Sequence, residues 1–197
     1  MLYILGGAAR AGKTILARRI CSGRDVTHFS IDKLIAGLAV TSPEMGLNTR
    51  DPARKRAEIL WPVLRSIASQ AARGGKDFLL EGDALLPGHV AELSSERSDA
   101  VKVCFIGYAH ADPDAKLRAI RHYAAGREDW THELDDAALL KLIGELCDFS
   151  EFLHCECRRH GIAYFDGSAR FSRALRDAEA YLQLPVNSSR QPAPQTA

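Results

Sequence analysis

Short apolar runs alternate with longer amphipathic stretches along this chain. Leu2-Tyr3-Ile4-Leu5, Val26 to Ile31, Phe78-Leu79-Leu80, Val101 to Ile106 and Ile162-Ala163-Tyr164-Phe165 read as five short strands. Between them apolar residues recur at helical spacing. Ile15 to Ile20 opens one helix. Ile59, Leu60, Val63, Leu64 and Ile67 line a second, and Leu139, Leu142, Ile143, Leu146, Phe149 and Leu153 line a third. The helix ends are marked as well. Asp51-Pro52 and Asp112-Pro113 each pair an N-cap residue with a proline suited to the first helical position, and Asp135-Asp136 opens the long third stripe. Gly74-Gly75 and Gly161 are stops, the latter after Arg158-Arg159-His160, whose charges suit a helix C-terminus. A last helix is expected from about 169 to 182. Asp32 should end the second strand, and a loop rich in Gly, Ser, Pro and Asn should run from there to about residue 50.

This alternation predicts an α/β fold in three layers, α/β/α, with a five-stranded parallel sheet covered by helices on both faces. In such folds ligands bind at the carboxyl ends of the strands. Residues 1–184 should form one domain. Residues 185–197 are rich in Ser, Gln and Pro and are expected to be a disordered tail.

Composition narrows the function classes. The chain has 197 residues, with 26 basic against 25 acidic, so the net charge is +1. No bulk charge draws it to nucleic acid or to an anionic membrane. No apolar run is long enough to span a membrane, and the first residues enter a strand without a signal-type pattern. Five irregularly spaced cysteines fit a reduced, cytoplasmic setting. Any partner is expected to be a small-molecule acceptor. The oligomeric state is open.

The most specific motif follows the first strand. Gly7-Ala8-Ala9-Arg10-Ala11-Gly12-Lys13-Thr14 fits G-x-x-x-x-G-K-[ST], the phosphate-binding P-loop. Strand, glycine loop and helix N-terminus occur in the required order, so backbone N–H groups and the positive end of the helix dipole converge on an anion. ATP and Mg²⁺ are the expected cofactors. Lys13 should reach the β- and γ-phosphates, and the Thr14 hydroxyl should bind Mg²⁺.

Acidic residues stand at the ends of the next two strands: Asp32 after the second, Glu81-Gly82-Asp83 after the third. One carboxylate should help hold hydrated Mg²⁺ near Thr14, and another could accept a proton from an attacking hydroxyl. The plainer alternative is that they are strand-to-loop caps. Arg50, Arg54, Lys55 and Arg56 cluster at the start of the second long helix. Arg50 and Arg54 could bind an anionic acceptor, or the cluster could be an exposed first turn whose charges oppose the dipole. Asp83 and Asp32 complete the candidate acceptor set.

Gly7 to Thr14, Ser30-Ile31-Asp32 and Leu80-Glu81-Gly82 together resemble the P-loop small-molecule kinases. Uridine kinase, phosphoribulokinase and pantothenate kinase are similar in carrying an Asp after the second strand and a Glu-Gly after the third. Leu79-Leu80-Glu81-Gly82 with Leu86-Pro87 also resembles bacterial 2-phosphoglycerate kinase-like proteins. The resemblance implies Asp32 as general base and Glu81 as the Walker-B-type carboxylate toward Mg²⁺. It implies that 112–134 is a small helical lid whose arginines, Arg118 and Arg127 ahead of Arg121, neutralise the transferring phosphoryl group. It also implies that the loop at Gly167-Ser168 passes the adenine. Asp32 lacks the Asp-Asp-Phe-Tyr setting of uridine kinases, which weighs against a nucleoside acceptor.

The activity this reading supports is ATP- and Mg²⁺-dependent transfer of the γ-phosphoryl group to a hydroxyl of a small metabolite. The alternatives are an antibiotic-like acceptor, or a nucleotide-binding switch acting on a protein partner. His28 reads as packing or edge polarity. Cys155-x-Cys157 lacks a second ligand pair for a metal.

Overall fold

Strand β1, Leu2–Gly7, is buried along its whole length, as the central strand of a parallel sheet must be. The computed structural model describes residues 1–22, 24–96 (side chains of 94–96 excepted), 99–125 and 129–182. Around β1 the chain lays down β2 (Val26–Ser30), β3 (Asp77–Glu81), β4 (Val101–Gly107) and β5 (Ala163–Asp166) in the order β2-β3-β1-β4-β5. Every pairing is parallel. Leu5 and Ser30 both align with Glu81, so the ends of β1, β2 and β3 meet on one rim.

The helices are α1 (Lys13–Cys21), α2 (Ile31–Thr41), α3 (Ala53–Arg73), α4 (Pro87–Glu96), α5 (Pro113–Ala124), α6 (Asp136–His160) and α7 (Phe171–Leu182). The period of two along the strands divides the core into layers. Leu2, Ile4, Leu80 and Phe105 pack with Ile31, Leu60, Val90 and Leu153 on one face of the sheet. Tyr3, Leu5, Leu79 and Ile106 pack with Leu16, Ile20 and Leu175 on the other. Helix α5 leans on α6 through a small separate cluster of Ile120, Leu139 and Ile143.

Four of the strand readings and the caps at Asp112 and Asp135 hold closely. The side chain of Asp112 accepts the Ala115 N–H at 2.7 Å, and that of Asp135 accepts the Ala138 N–H at 2.7 Å. Gly161 closes α6 at φ 66°.

Three expectations are corrected. The second strand ends at Ser30, and the expected loop after it begins with α2, so Asp32 lies in a first helical turn. The cause is the apolar spacing of Ile31, Leu34, Ile35 and Leu38, which outweighs the Gly and Ser content; Ile31 and Ile35 are buried against the sheet. The stretch after Asp83 also forms a helix, α4, started by Pro87 and anchored by buried Val90 and Leu93. Finally, α3 starts at Ala53 with Pro52 as its cap residue, and Asp51 pairs instead with Lys55 at 2.9 Å. The 185–197 tail lies outside the described residues. Among the described residues no helix is long and apolar enough to cross a membrane.

Candidate active site at the rim of β1, β2 and β3

The P-loop leaves β1 at Gly7, whose φ is 139°. A Cβ there would stand 2.0 Å from the Ile106 carbonyl oxygen, so no other residue fits. Helix α1 begins at Lys13, with Gly12 as its left-handed cap residue. The first-turn N–H groups of a helix have no intrahelical acceptor, and here they open on the loop. Lys13 is 6% exposed, and its Nζ donates to the Ala8 carbonyl at 2.9 Å. A cradle closed to side chains, edged by helix N–H groups and an ammonium, fits a polyphosphate.

Thr14 and Glu81 meet across the rim. The Thr14 hydroxyl donates to Glu81 Oε1 at 3.4 Å, and Glu81 Oε2 lies 3.4 Å from His28 Nε2. Glu81 is 2% exposed. A hydroxyl and a buried carboxylate beside a phosphate cradle are the hard oxygen donors that suit Mg²⁺, which takes few protein ligands.

Asp32 reaches the same rim from α2. Its helix can approach because residue 82 is glycine: a Cβ there would come within 2.6 Å of Ile31 Cβ. Asp32 is open to solvent on its outer side, yet protein and acidic groups surround it on the other. Withdrawal from bulk water, and then the charge of Asp83, push its carboxyl up to about 6; Glu81 adds to this, while Lys13 and Arg56 oppose it. Asp83 is itself buried and tied to Arg56, whose Nη2 donates to Asp83 Oδ2 at 3.0 Å.

The basic cluster of α3 therefore divides. Arg56 turns inward to the site, Arg54 lies over the Phe152 ring at 4.3 Å, and Lys55 stays with Asp51. Arg50 is exposed beside an Asn48 turn, its backbone N–H donating to Asn48 Oδ1 at 2.9 Å.

The segment after α5 contacts the P-loop directly. Arg10 Nη1 donates to Asp129 Oδ2 at 2.7 Å, and Nη2 makes the parallel bond to Oδ1. The Arg10 guanidinium also stacks on Trp130 at 4.9 Å. This pairing holds the Asp129 carboxyl far below the usual range. Arg121 is occupied in building the turn. It donates to the carbonyls of Thr131 and Leu134, both at 2.7 Å, and to Asp136 at 3.0 Å. Arg118 stands exposed on α5. Arg127 lies outside the described residues. Across the sheet, Gly167 N–H bonds to the Gly107 carbonyl at 2.8 Å, and Ser168 Oγ accepts the His110 N–H at 2.9 Å, which joins the loops after β4 and β5.

No family model matches the chain, and no curated protein matches it. Solved structures do. Shikimate kinase from Bacteroides thetaiotaomicron aligns with TM-score 0.56 and 16% identity over 93% of this chain and 99% of that one. A gluconokinase from Sinorhizobium meliloti 1021 aligns with TM-score 0.53 and 15% identity, covering 91% and 90%. An uncharacterized protein from Eubacterium ventriosum aligns with TM-score 0.52 and 14% identity, covering 93% and 98%. This chain shares their fold. At such identities the likeness speaks for the architecture, and the side chains of this chain carry the chemical argument.

Within that fold the structure gathers Lys13, Thr14, Asp32, Glu81 and Asp83 at one rim and leaves Arg50 and Arg118 facing solvent. Sequence reasoning passed over four contributors. Arg56 had a signal, since it lies four residues before buried Leu60 on the packed side of α3. His28 had none, because its contact with Glu81 depends on the β2–β3 register. Tyr108 and Lys116 lie about a hundred residues from the loop carbonyls they touch.

Proposed function

We propose that this chain is an ATP- and Mg²⁺-dependent kinase that phosphorylates a hydroxyl of a small metabolite. The observation that carries the reading is Asp32. It is a carboxylate raised to about 6, set between the Lys13 side of the cleft and the buried Arg56–Asp83 pair. A base with that value is ionised at neutral pH and still basic enough to take a proton from an attacking hydroxyl.

The reading assigns the roles as follows. Residues Gly7 to Thr14 bind the donor phosphates, and Lys13 stabilises the charge that develops on the transferring group. Thr14 and Glu81 would hold Mg²⁺, which supplies charge neutralisation when bound. Asp32 orients the acceptor hydroxyl and takes its proton. Asp83, held by Arg56, shapes the wall behind it. Arg50 and Arg54 are assigned to an anionic group of the acceptor, and Arg118 and Arg127 to the charge of the transferring phosphoryl group. Gly167 and Ser168 border the place for the base. Two structural neighbours, a shikimate kinase and a gluconokinase, are in keeping with a small hydroxylated acceptor.

The test is ATP consumption by the purified chain with Mg²⁺ across a panel of hydroxylated metabolites, with Asp32→Asn in parallel. Turnover that depends on one acceptor and collapses in the variant is expected. Turnover indifferent to every small acceptor and stimulated by a protein partner would replace the kinase with a nucleotide switch.

A further inference from the structure

Three consecutive carbonyls of the P-loop each take a side-chain donor. Ala8 O accepts Lys13 Nζ at 2.9 Å, Ala9 O accepts the Tyr108 hydroxyl at 2.7 Å, and Arg10 O accepts Lys116 Nζ at 2.9 Å. Lys13 belongs to the motif. Tyr108 follows β4 and Lys116 lies on α5, and neither has a role in the kinase reading above. We propose that Tyr108 and Lys116 are positioning residues for the phosphate cradle, fixing the peptide planes of the loop from behind so that it is preformed for a nucleoside triphosphate. This rests on the nucleotide reading of the loop and extends it to two residues outside the motif.

The geometry supports the assignment at each peptide. In a trans peptide the C=O of one residue and the N–H of the next point in opposite directions. Anchoring Ala9 O on Tyr108 therefore turns the Arg10 N–H to the other side of the loop. Anchoring Arg10 O on Lys116 orients the Ala11 N–H, which closes on Ala8 O at 3.3 Å. Arg10 is the one non-glycine among the described residues with positive φ, at 62°. Such a backbone is unfavourable for a residue with a side chain and persists only where its surroundings impose it. Here the Lys116 bond to its carbonyl and the Asp129 and Trp130 contacts of its side chain impose it.

Lys116 is enclosed for this task. Its Nζ lies 3.7 Å from the Tyr108 ring centroid and 5.7 Å from that of Phe171. Burial brings its ammonium down to about 8, with Arg10 pushing the same way and Cys147 opposing. The groups that face it are Arg10 from the loop, Tyr108 after β4 and Cys147 from α6; Phe171 of α7 contributes only its ring. Burial pushes Tyr108 and Cys147 upward, so Lys116 is the first of the three to lose its proton as pH rises. Deprotonation removes a charged donor from Arg10 O and a positive charge from behind an anion site. Nucleotide affinity should therefore fall at or above pH about 8.

The experiment is calorimetric titration of the full chain with ATP and Mg²⁺ between pH 6.5 and 9.5, with thermal melts of every variant and Lys13→Ala as reference. At pH 7, Lys116→Met should weaken binding about 10-fold and Tyr108→Phe about 5-fold, the scale of one lost hydrogen bond in each case. Lys116→Arg keeps the charge at every pH, so it should bind within about twofold of the parent at pH 7 and lose the alkaline decline. If Lys13→Ala abolishes binding while Tyr108→Phe and Lys116→Met, melting as folded proteins, bind like the parent, the positioning role is wrong and the kinase reading stands. An alkaline decline that persists in Lys116→Arg overturns it too, and Tyr108→Phe decides the matter if Lys116→Met does not fold. Lys13→Ala binding as the parent does would bring down the nucleotide reading beneath both.

Discussion

The proposed donor side of the cleft takes its parts from eight consecutive residues, Gly7 to Thr14. The proposed acceptor side draws Asp32 from α2, Arg56 from α3 and Asp83 from the turn after β3. The first is made mostly of backbone, and its form follows from where a strand, two glycines and a helix N-terminus must go. The second is made of charged side chains whose behaviour depends on one another, as the raised carboxyl of Asp32 shows. The form of the loop is therefore set locally, while the charged side beside it depends on residues from three separate elements.

The sharpest way to break this contrast is to strike each side once. Lys13→Ala should lower phosphoryl transfer by about 10³-fold and remove most nucleotide affinity, read by coupled assay and calorimetry. Asp32→Asn should lower transfer by about 10²- to 10³-fold with nucleotide affinity unchanged. Equal losses of nucleotide affinity in both variants would mean that the two sides are one unit.

The Arg56–Asp83 pair tests the mutual dependence of the acceptor side. Both side chains are 11% exposed. Arg56→Met strands a buried carboxylate and should cost about 3 kcal/mol in urea unfolding, and the double variant Arg56→Met with Asp83→Leu should recover much of it. Additive losses would show that the pair is not coupled.

The pH dependence of Asp32 is a smaller effect with a definite sign. Transfer needs the ionised form, so the rate should fall as pH drops through about 6, and the residual rate of Asp32→Asn should be flat there. For stability the folded carboxyl holds its proton more tightly than the unfolded one, whose value is 3.8. Its contribution therefore weakens the fold as pH rises from about 4 through 6. Asp32→Asn should be the more stable protein at pH 7, by about 1 kcal/mol or less after solvent screening, and the gain should vanish near pH 4. A purely structural effect is expected at Arg121→Met. Loss of its bonds to Thr131 and Leu134 should cost about 1 kcal/mol and leave nucleotide affinity within about twofold.

The legible parts of the molecule were those with short-range signals. The P-loop and the caps at Asp112 and Asp135 each lie within a few residues of the group they serve, so spacing reveals them. Helix α2 was hidden because Gly, Ser and Pro in its neighbourhood mimic a loop, while its apolar period spans only Ile31 to Leu38. The arginines after β4 show a different limit of local signals. Arg121, ranked behind Arg118 and Arg127 for a phosphate role, is occupied by two backbone carbonyls and Asp136, and the P-loop's own Arg10 is the arginine that meets Asp129.

Strand–helix alternation and an eight-residue loop were enough to determine the α/β architecture and the place proposed for phosphate, because backbone geometry at a strand–helix junction needs only local residue types. Tertiary structure alone decided which arginine of α3 faces inward, that Glu81 lies between Thr14 and His28, and that Tyr108 and Lys116 reach behind the P-loop. Those contacts join residues from 27 to 106 positions apart. They depend on strand order and helix rotation, which arise when the layers pack and which no short stretch of sequence encodes.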